Sequence, residues 1–208
     1  MDKRFAIFDM DGTLVDSMVF WKNLAAEYLT GKGVSQIPED LAERIKPMTM
    51  SESAALFRTE FGLTGDIEGE MNAMMDDHYR HDIPLKPGVS SYLHALRERG
   101  IKMCVASATA EQLMESCLGR LGVLPCFSFL LSCEEVGAGK GSPAVFLEAA
   151  RRLGAEPAEI AVYEDAIYAA RTARDAGFHV VGVYDECSDW EAVRSIADET
   201  ILNWEEAL

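Results

Sequence analysis

Two carboxylates two residues apart, Asp9 and Asp11, follow directly on the apolar run Phe5-Ala6-Ile7-Phe8. A short apolar run ending in acids reads as a buried parallel strand, and ligands of open α/β sheets bind outside the carboxyl ends of such strands. On an extended backbone, side chains two positions apart point to the same side. Two anions so placed repel, which calls for a cation, a shared proton or a reaction that consumes charge. One acid can attack an electrophile while the other handles a proton, or the pair can help hold Mg2+, which prefers oxygen ligands. The plain alternative is an Asp-Gly turn, with Asp capping the following helix.

Three further stretches carry chemistry. Ala106-Ser107-Ala108-Thr109 places a hydroxyl and free backbone N–H groups at a strand end, an arrangement that suits a phosphate oxygen or simply caps a helix. Gly137-Ala138-Gly139-Lys140-Gly141-Ser142 fails the P-loop pattern, because Gly141 follows Lys140 and the first glycine is misplaced. Lys140 is then either a functional cation or a solvated loop lysine. Glu164-Asp165 closes another apolar run; adjacent acids are costly to bury without a cation or donors, and at a helix start they also complement the dipole.

The elements that must position these groups follow from periodicity. Apolar residues at helical spacing predict helices over 18–30, Pro38 to Ile45, Ser51 to Phe61 and 67–81, with no strand between 18 and 82. From Pro87 the pattern alternates. Helices are expected over 88–99, 110–121, 143–153, 166–176 and 188–198, and strands over 101–106, 127–132, 160–163, 179–184 and 200–202. Alternating strands and helices imply a parallel sheet covered on both faces. The helical block reads as an insertion, so the expected division is an α/β core of residues 1–15 and 86–208 and an inserted domain of residues 16–85.

Asp9-Met10-Asp11-Gly12-Thr13-Leu14-Val15-Asp16-Ser17 resembles the first motif of the haloacid dehalogenase superfamily, DxDGTLxDS, in its phosphatase and phosphomutase branch. Gly139-Lys140-Gly141-Ser142-Pro143-Ala144-Val145-Phe146 is similar to the family's third motif, GKPxPDxF, with Gly141 and Ala144 in place of Pro and Asp. Glu164-Asp165 and Ala176-Gly177 fit its fourth, EDSxxGxxAA…AG, with Ala166 and Ala169 in place of Ser and Gly. Ser107 matches the second in place and order. The resemblance implies a doubly wound, Rossmann-like α/β core with an all-helical cap domain whose movement gates the site. It also implies a Mg2+-dependent phosphatase acting on a small phosphorylated metabolite through an aspartyl-phosphate. Asp9 is then the nucleophile and Asp11 the general acid/base, with Ser107 and Lys140 completing the catalytic set. Met10, Asp11, Ser107, Ala108 and Lys140 are the expected phosphate-binding residues. Asp9, Asp11 (through its carbonyl), Glu164 and Asp165 are the expected metal ligands. The second Asp argues against dehalogenation.

Composition narrows the alternatives. A net charge of -16 disfavours nucleic-acid and anionic-membrane partners, which select clustered Lys and Arg. The sequence has no apolar run of transmembrane length and no signal peptide, and its five cysteines lack CxxC spacing, so reduced thiols in a cytoplasmic protein are expected. A sugar phosphomutase similar to β-phosphoglucomutase is the enzymatic rival. Lys46-Pro47-Met48-Thr49-Met50-Ser51-Glu52-Ser53 lacks the Ser-Arg signature that mutases carry in the cap. The non-enzymatic rival is a degenerate binding module, suggested by Ala166 and Ala169; a receiver domain is excluded by the helical insertion after the first strand. His78 and His81, three apart on a helix, read as exposed residues of that insertion, and Met48, Met50, Met71, Met74 and Met75 as its core. Oligomeric state and the identity of the substrate are not encoded in any readable pattern.

Overall fold

A computed structural model describes residues 3–45, 48 and 50–207. The chain divides into two compact units, with the boundaries after Ser17 and before Ile83.

The unit between those boundaries is helical: α1 (Met18–Gly31), α2 (Leu41–Ile45), α3 (Met50–Phe61) and α4 (Ile67–His81). Helix α1 packs on α4 through Leu24, Ala25, Tyr28 and Leu29 against Met71, Met75 and Tyr79, all nearly or fully buried. Residues at this three-and-four spacing share one helix face. Trp21 Nε1 donates to Tyr79 Oη at 3.0 Å, tying the same two helices. Asp66 starts α4 by accepting the Gly69 N–H at 3.0 Å. Pro38 to Asp40 form a turn rather than the start of α2, with Leu41 N donating to Pro38 O at 3.1 Å. Of the Lys46–Ser53 stretch compared with the mutase signature, residues 46, 47 and 49 lie outside the described residues.

The other unit is an α/β sandwich. Its strands are β1 (Phe5–Phe8), β2 (Lys102–Ser107), β3 (Leu130–Ser132), β4 (Ile160–Glu164), β5 (His179–Val183) and β6 (Glu199–Ile201). All neighbours pair in parallel, in the order β3-β2-β1-β4-β5-β6. The chain therefore works outward from β1 in both directions, and the crevice at such a switch point lies at the carboxyl end of β1. The helices are α5 (Val89–Glu98), α6 (Glu111–Arg120), α7 (Cys133–Val136), α8 (Ala144–Leu153), α9 (Ile167–Asp175) and α10 (Trp190–Ile196).

Strand alternation sorts the core into two layers. Ile7, Cys104, Ala106, Val162 and Val180 pack against Val145, Phe146 and Ala149 of α8 and Ala169, Ala170 and Ala173 of α9. On the opposite face Phe8 stacks on Tyr163 with ring centroids 4.2 Å apart, and Trp204 stacks on Tyr163 in turn. Tyr92 of α5 closes this layer through a 2.8 Å hydroxyl contact with Tyr163. Fully burying one such large side chain stabilises by about 1.5–3 kcal/mol, so each layer is a substantial part of the fold's stability. Gly88, which opens α5, has φ +87°, and a Cβ there would lie 2.5 Å from the backbone nitrogen of Glu205. Only glycine fits that approach.

The residues leading into and out of the helical unit are stitched to the α/β unit. Asp16 N donates to Pro84 O, Lys86 N donates to Leu14 O, and Val15 bridges Leu85. Those bonds explain why the division falls at residues 17 and 83 rather than at the sequence-based positions 15 and 86. Strand β3 begins at Leu130 rather than near Phe127, after the 3-10 turn Leu124–Cys126, with Ser128 N already donating to Met103 O of β2 at 2.7 Å.

Candidate active site

Sheet register brings the first pair of acids together. Phe8 pairs with Tyr163, and Asp9 N donates to Tyr163 O at 3.0 Å, so Asp9 and Glu164 are next along adjacent strands. Both continue the alternation of Ile7 and Val162, which aims their side chains at the α8 face. Neighbouring carboxylates there would repel, and Lys140 sits between them. Its Nζ donates to Asp9 Oδ1 and, at 2.5 Å, to Glu164 Oε1. Lys140 reaches them from the loop before α8 and is 5% exposed, against 7% for Asp9 and 1% for Glu164.

Asp165 turns from the end of β4 to join the group. Its Oδ1 accepts the Thr13 hydroxyl at 3.2 Å and its Oδ2 the Ser188 hydroxyl at 2.5 Å. Asp9, Glu164 and Asp165 each offer a carboxylate oxygen within 4.8 Å of the others. Three buried carboxylates against one ammonium leave a net negative site, and Glu164 Oε2 is buried with no hydrogen-bond partner. A divalent cation fits this donor set: hard, all-oxygen and short of positive charge.

The electrostatics follow from burial. Desolvation raises the Asp9 carboxyl above its usual range, the Lys140 ammonium pulls it back, and the Asp11 charge raises it again. The same desolvation, with Lys140 opposing and Asp9 and Asp165 reinforcing, pushes Glu164 up to about 8. Burial and the Asp9 charge push Asp165 up to about 7, against the Ser188 hydrogen bond. Desolvation works against the charge on Lys140, but the Asp9 and Glu164 carboxylates overcome it and hold the ammonium firmly protonated.

Asp11 belongs to a second hydrogen-bond group. Its Oδ1 accepts the Ser17 hydroxyl and its Oδ2 the Thr109 hydroxyl, each at 2.6 Å. Gly12, at φ +78°, turns the chain here, and Met10 O accepts both Leu14 N and Val15 N, closing a tight loop after β1. Met10 is buried; its backbone N–H hydrogen-bonds the Asp9 carboxylate. Ser107 ends β2, one strand over from β1, and its hydroxyl oxygen accepts Thr109 N at 3.1 Å. Ala108 is exposed beside it. The structure therefore joins Asp9, Lys140 and Glu164 through direct contacts, brings an Asp165 carboxylate oxygen within 4.8 Å of theirs, and sets Asp11 with Ser17 and Thr109. The hydroxyls of Thr13, Ser17, Thr109 and Ser188 escaped the sequence reasoning as site residues. Thr13 and Ser17 lie inside the first motif and Thr109 two residues past Ser107, so those three had a signal. Ser188, 23 residues beyond Asp165, had none.

The parallel sheet gathers its acids at the carboxyl end of the central strands, β1 and β4, and the haloacid dehalogenase-like hydrolase model matches residues 4–177. The chain belongs to the haloacid dehalogenase-like hydrolase family. It is 29% identical over 214 residues to the bifunctional riboflavin kinase/FMN phosphatase of Arabidopsis thaliana, covering 95% of this chain but 55% of that protein. The chain thus spans about half the length of that relative. It is 28% identical over 167 residues to hexitol phosphatase B of Escherichia coli strain K12, covering 78% of this chain and 75% of the relative. Among solved structures, CbbY from Rhodobacter sphaeroides in complex with xylulose-(1,5)bisphosphate superposes with a TM-score of 0.82 at 21% identity, over 98% of this chain and 96% of that one. That likeness establishes the shared fold. Among the described residues no helix is long and apolar enough to cross a membrane.

Proposed function

We propose that this hydrolase is a Mg2+-dependent phosphatase that hydrolyses a small organic phosphomonoester through an aspartyl-phosphate on Asp9. The observation that carries the reading is the buried group of Asp9, Lys140, Glu164 and Asp165, with Asp11 held close by on separate hydroxyls. The phosphatase names of the relatives favour hydrolysis over the mutase reading.

In the proposed reaction an Asp9 carboxylate oxygen attacks phosphorus in line, forming the Asp9–phosphorus bond as the ester oxygen leaves. Asp11 gives that oxygen its proton. Asp11, now a carboxylate, takes a proton from a water that attacks the same phosphorus, and the Asp9–phosphorus bond breaks to release inorganic phosphate. Ser17 and Thr109 keep the Asp11 carboxylate oriented through both proton transfers. Lys140 and the Ser107 hydroxyl stabilise charge on the transferring group, as does the Ala108 and Met10 backbone. Asp9, Glu164 and Asp165, with the Asp11 carbonyl, would hold Mg2+, whose charge would neutralise the phosphoryl oxygens approaching an anionic nucleophile. In this reading the helical unit carries substrate selection.

The test is phosphate release from hexitol phosphates, other sugar phosphates and FMN, with Mg2+ and with EDTA. Release that needs Mg2+ supports the reading. No release from any phosphomonoester by folded, Mg2+-supplied protein contradicts it.

A further inference from the structure

Behind Asp165 runs a short loop that belongs to none of the motifs. It joins β5 to α10 and ends in Ser188, whose Oγ donates to Asp165 Oδ2 at 2.5 Å. That length is typical of a hydroxyl bound to an ionised carboxylate, the stronger kind of hydrogen bond. The opposite oxygen of Asp165 has a longer bond, 3.2 Å, from Thr13. Ala166, the residue directly after Asp165, has no hydroxyl to offer, so the short bond must come from a distant part of the chain.

The loop is itself anchored. Asp185 is 2% exposed, and its two carboxylate oxygens are both in use. Oδ1 accepts Cys187 N at 2.8 Å and Oδ2 accepts Lys86 Nζ at 2.7 Å. Lys86 also donates to Tyr184 O at 3.0 Å, and Ser188 N donates to Asp185 O at 3.2 Å. A nearly buried ion pair of this kind gives little net stability, because desolvation offsets the attraction, but it can hold one local geometry. Here the geometry it holds is the approach of Ser188 to Asp165. Asp189 then caps α10 by accepting Ala192 N, which leaves Ser188 outside the helix.

We propose that Ser188 is a positioning residue that aims the Asp165 carboxylate at a divalent cation, and that the Lys86–Asp185 pair holds Ser188 in place to do so. The inference rests on reading Asp9, Glu164 and Asp165 as a cation site. Ser188 touches neither substrate nor cation; it fixes which Asp165 oxygen faces inward. Partners of metal ligands typically change affinity by about 10–100-fold when removed.

Calorimetric titration of MgCl2 into the substrate-free protein tests this directly, with wild type, Ser188→Ala, Ser188→Thr and Asp165→Asn. Ser188→Ala should weaken Mg2+ binding by about tenfold or more. Ser188→Thr, which keeps the hydroxyl, should bind close to wild type. Ser188→Ala should remain folded in EDTA, its urea midpoint lowered by no more than the loss of one hydrogen bond. Unchanged Mg2+ affinity in Ser188→Ala, or affinity in Ser188→Thr as weak as in Ser188→Ala, overturns the positioning role alone. So does a loss of affinity accompanied by loss of the fold in EDTA. A wild type that takes up no Mg2+, or an Asp165→Asn variant that binds as wild type does, overturns the cation reading and the positioning role with it.

Discussion

Replacing Lys140 with Met should reveal how the acidic site is tolerated. Methionine keeps most of the volume of the lysine stem, and it can still pack toward Phe146, whose ring centroid lies 5.9 Å from Nζ. What it removes is the ammonium between two carboxylates that are 7% and 1% exposed. Taking one partner from a buried ion pair costs about 3–5 kcal/mol, because the remaining charge is stranded without water. Above about pH 8, where the Glu164 carboxyl is ionised beside Lys140, two are stranded side by side. In EDTA, Lys140→Met should therefore lose about 3–5 kcal/mol of unfolding free energy. For a chain of this size that corresponds to a melting temperature lower by roughly 6–20 °C. Adding Glu164→Gln to the same chain removes one stranded charge. It should recover about 1 kcal/mol or more, which shows up as non-additivity in a double-mutant cycle. Urea unfolding followed by tryptophan fluorescence measures both variants, since Trp204 lies in the α/β core. If Lys140→Met unfolds at the wild-type urea concentration in EDTA, the carboxylates are not held by Lys140, and the electrostatic account of the site is wrong.

Two further outcomes follow from the same geometry. Glu164 titrates at about 8 in the fold, above its ordinary 4.5, so the folded state binds its proton more tightly than the unfolded chain does. Below pH 4.5 it is protonated in both states and carries no penalty; as pH rises from there to about 8 the fold loses stability, and above that the loss is complete. Urea titrations in EDTA between those limits should show falling stability, and saturating Mg2+ should flatten the slope. Stability that rises with pH in EDTA across this window would contradict the placement of Glu164. Thr109→Val removes the hydroxyl on Asp11 Oδ2 while leaving Ser17 on Oδ1. Losing one hydrogen bond to a charged group is worth about 1.5–3 kcal/mol. kcat should fall by about tenfold or more while KM moves little, and a raised KM with kcat unchanged would instead assign Thr109 to binding.

The sequence carried much of this because polarity changes sharply at strand ends. Phe5 to Phe8 read as a buried strand, which put the acids after it at the sheet's carboxyl edge. The Ile160 to Glu164 run behaves in the same way, and the doubly wound parallel sheet follows from the alternation of such runs with helices. The two-residue spacing of Asp9 and Asp11 was less informative than extended geometry suggested. The strand stops at Phe8, Gly12 turns the chain, and the two carboxylates acquire different partners. The remainder depends on contacts between distant residues. Nothing local marks Ser188 as a donor to Asp165, or Lys86 as the partner of Asp185 across 99 residues. Helix α7, four residues long and begun by the Ser132 hydroxyl, is too short for any periodicity to announce it.

The central claim, that Asp9 is the group that becomes phosphorylated, is tested most directly by trapping. Wild type and Asp9→Asn are mixed with the best substrate from the phosphate-release panel in Mg2+ and quenched in acid within the first turnovers. Peptide mass spectrometry then locates any phosphoryl group. The account predicts a phosphoryl group on the peptide bearing Asp9 in wild type and none anywhere in Asp9→Asn, which also releases no phosphate. Phosphate release by Asp9→Asn at the wild-type rate, or a phosphoryl group on another residue, would contradict it.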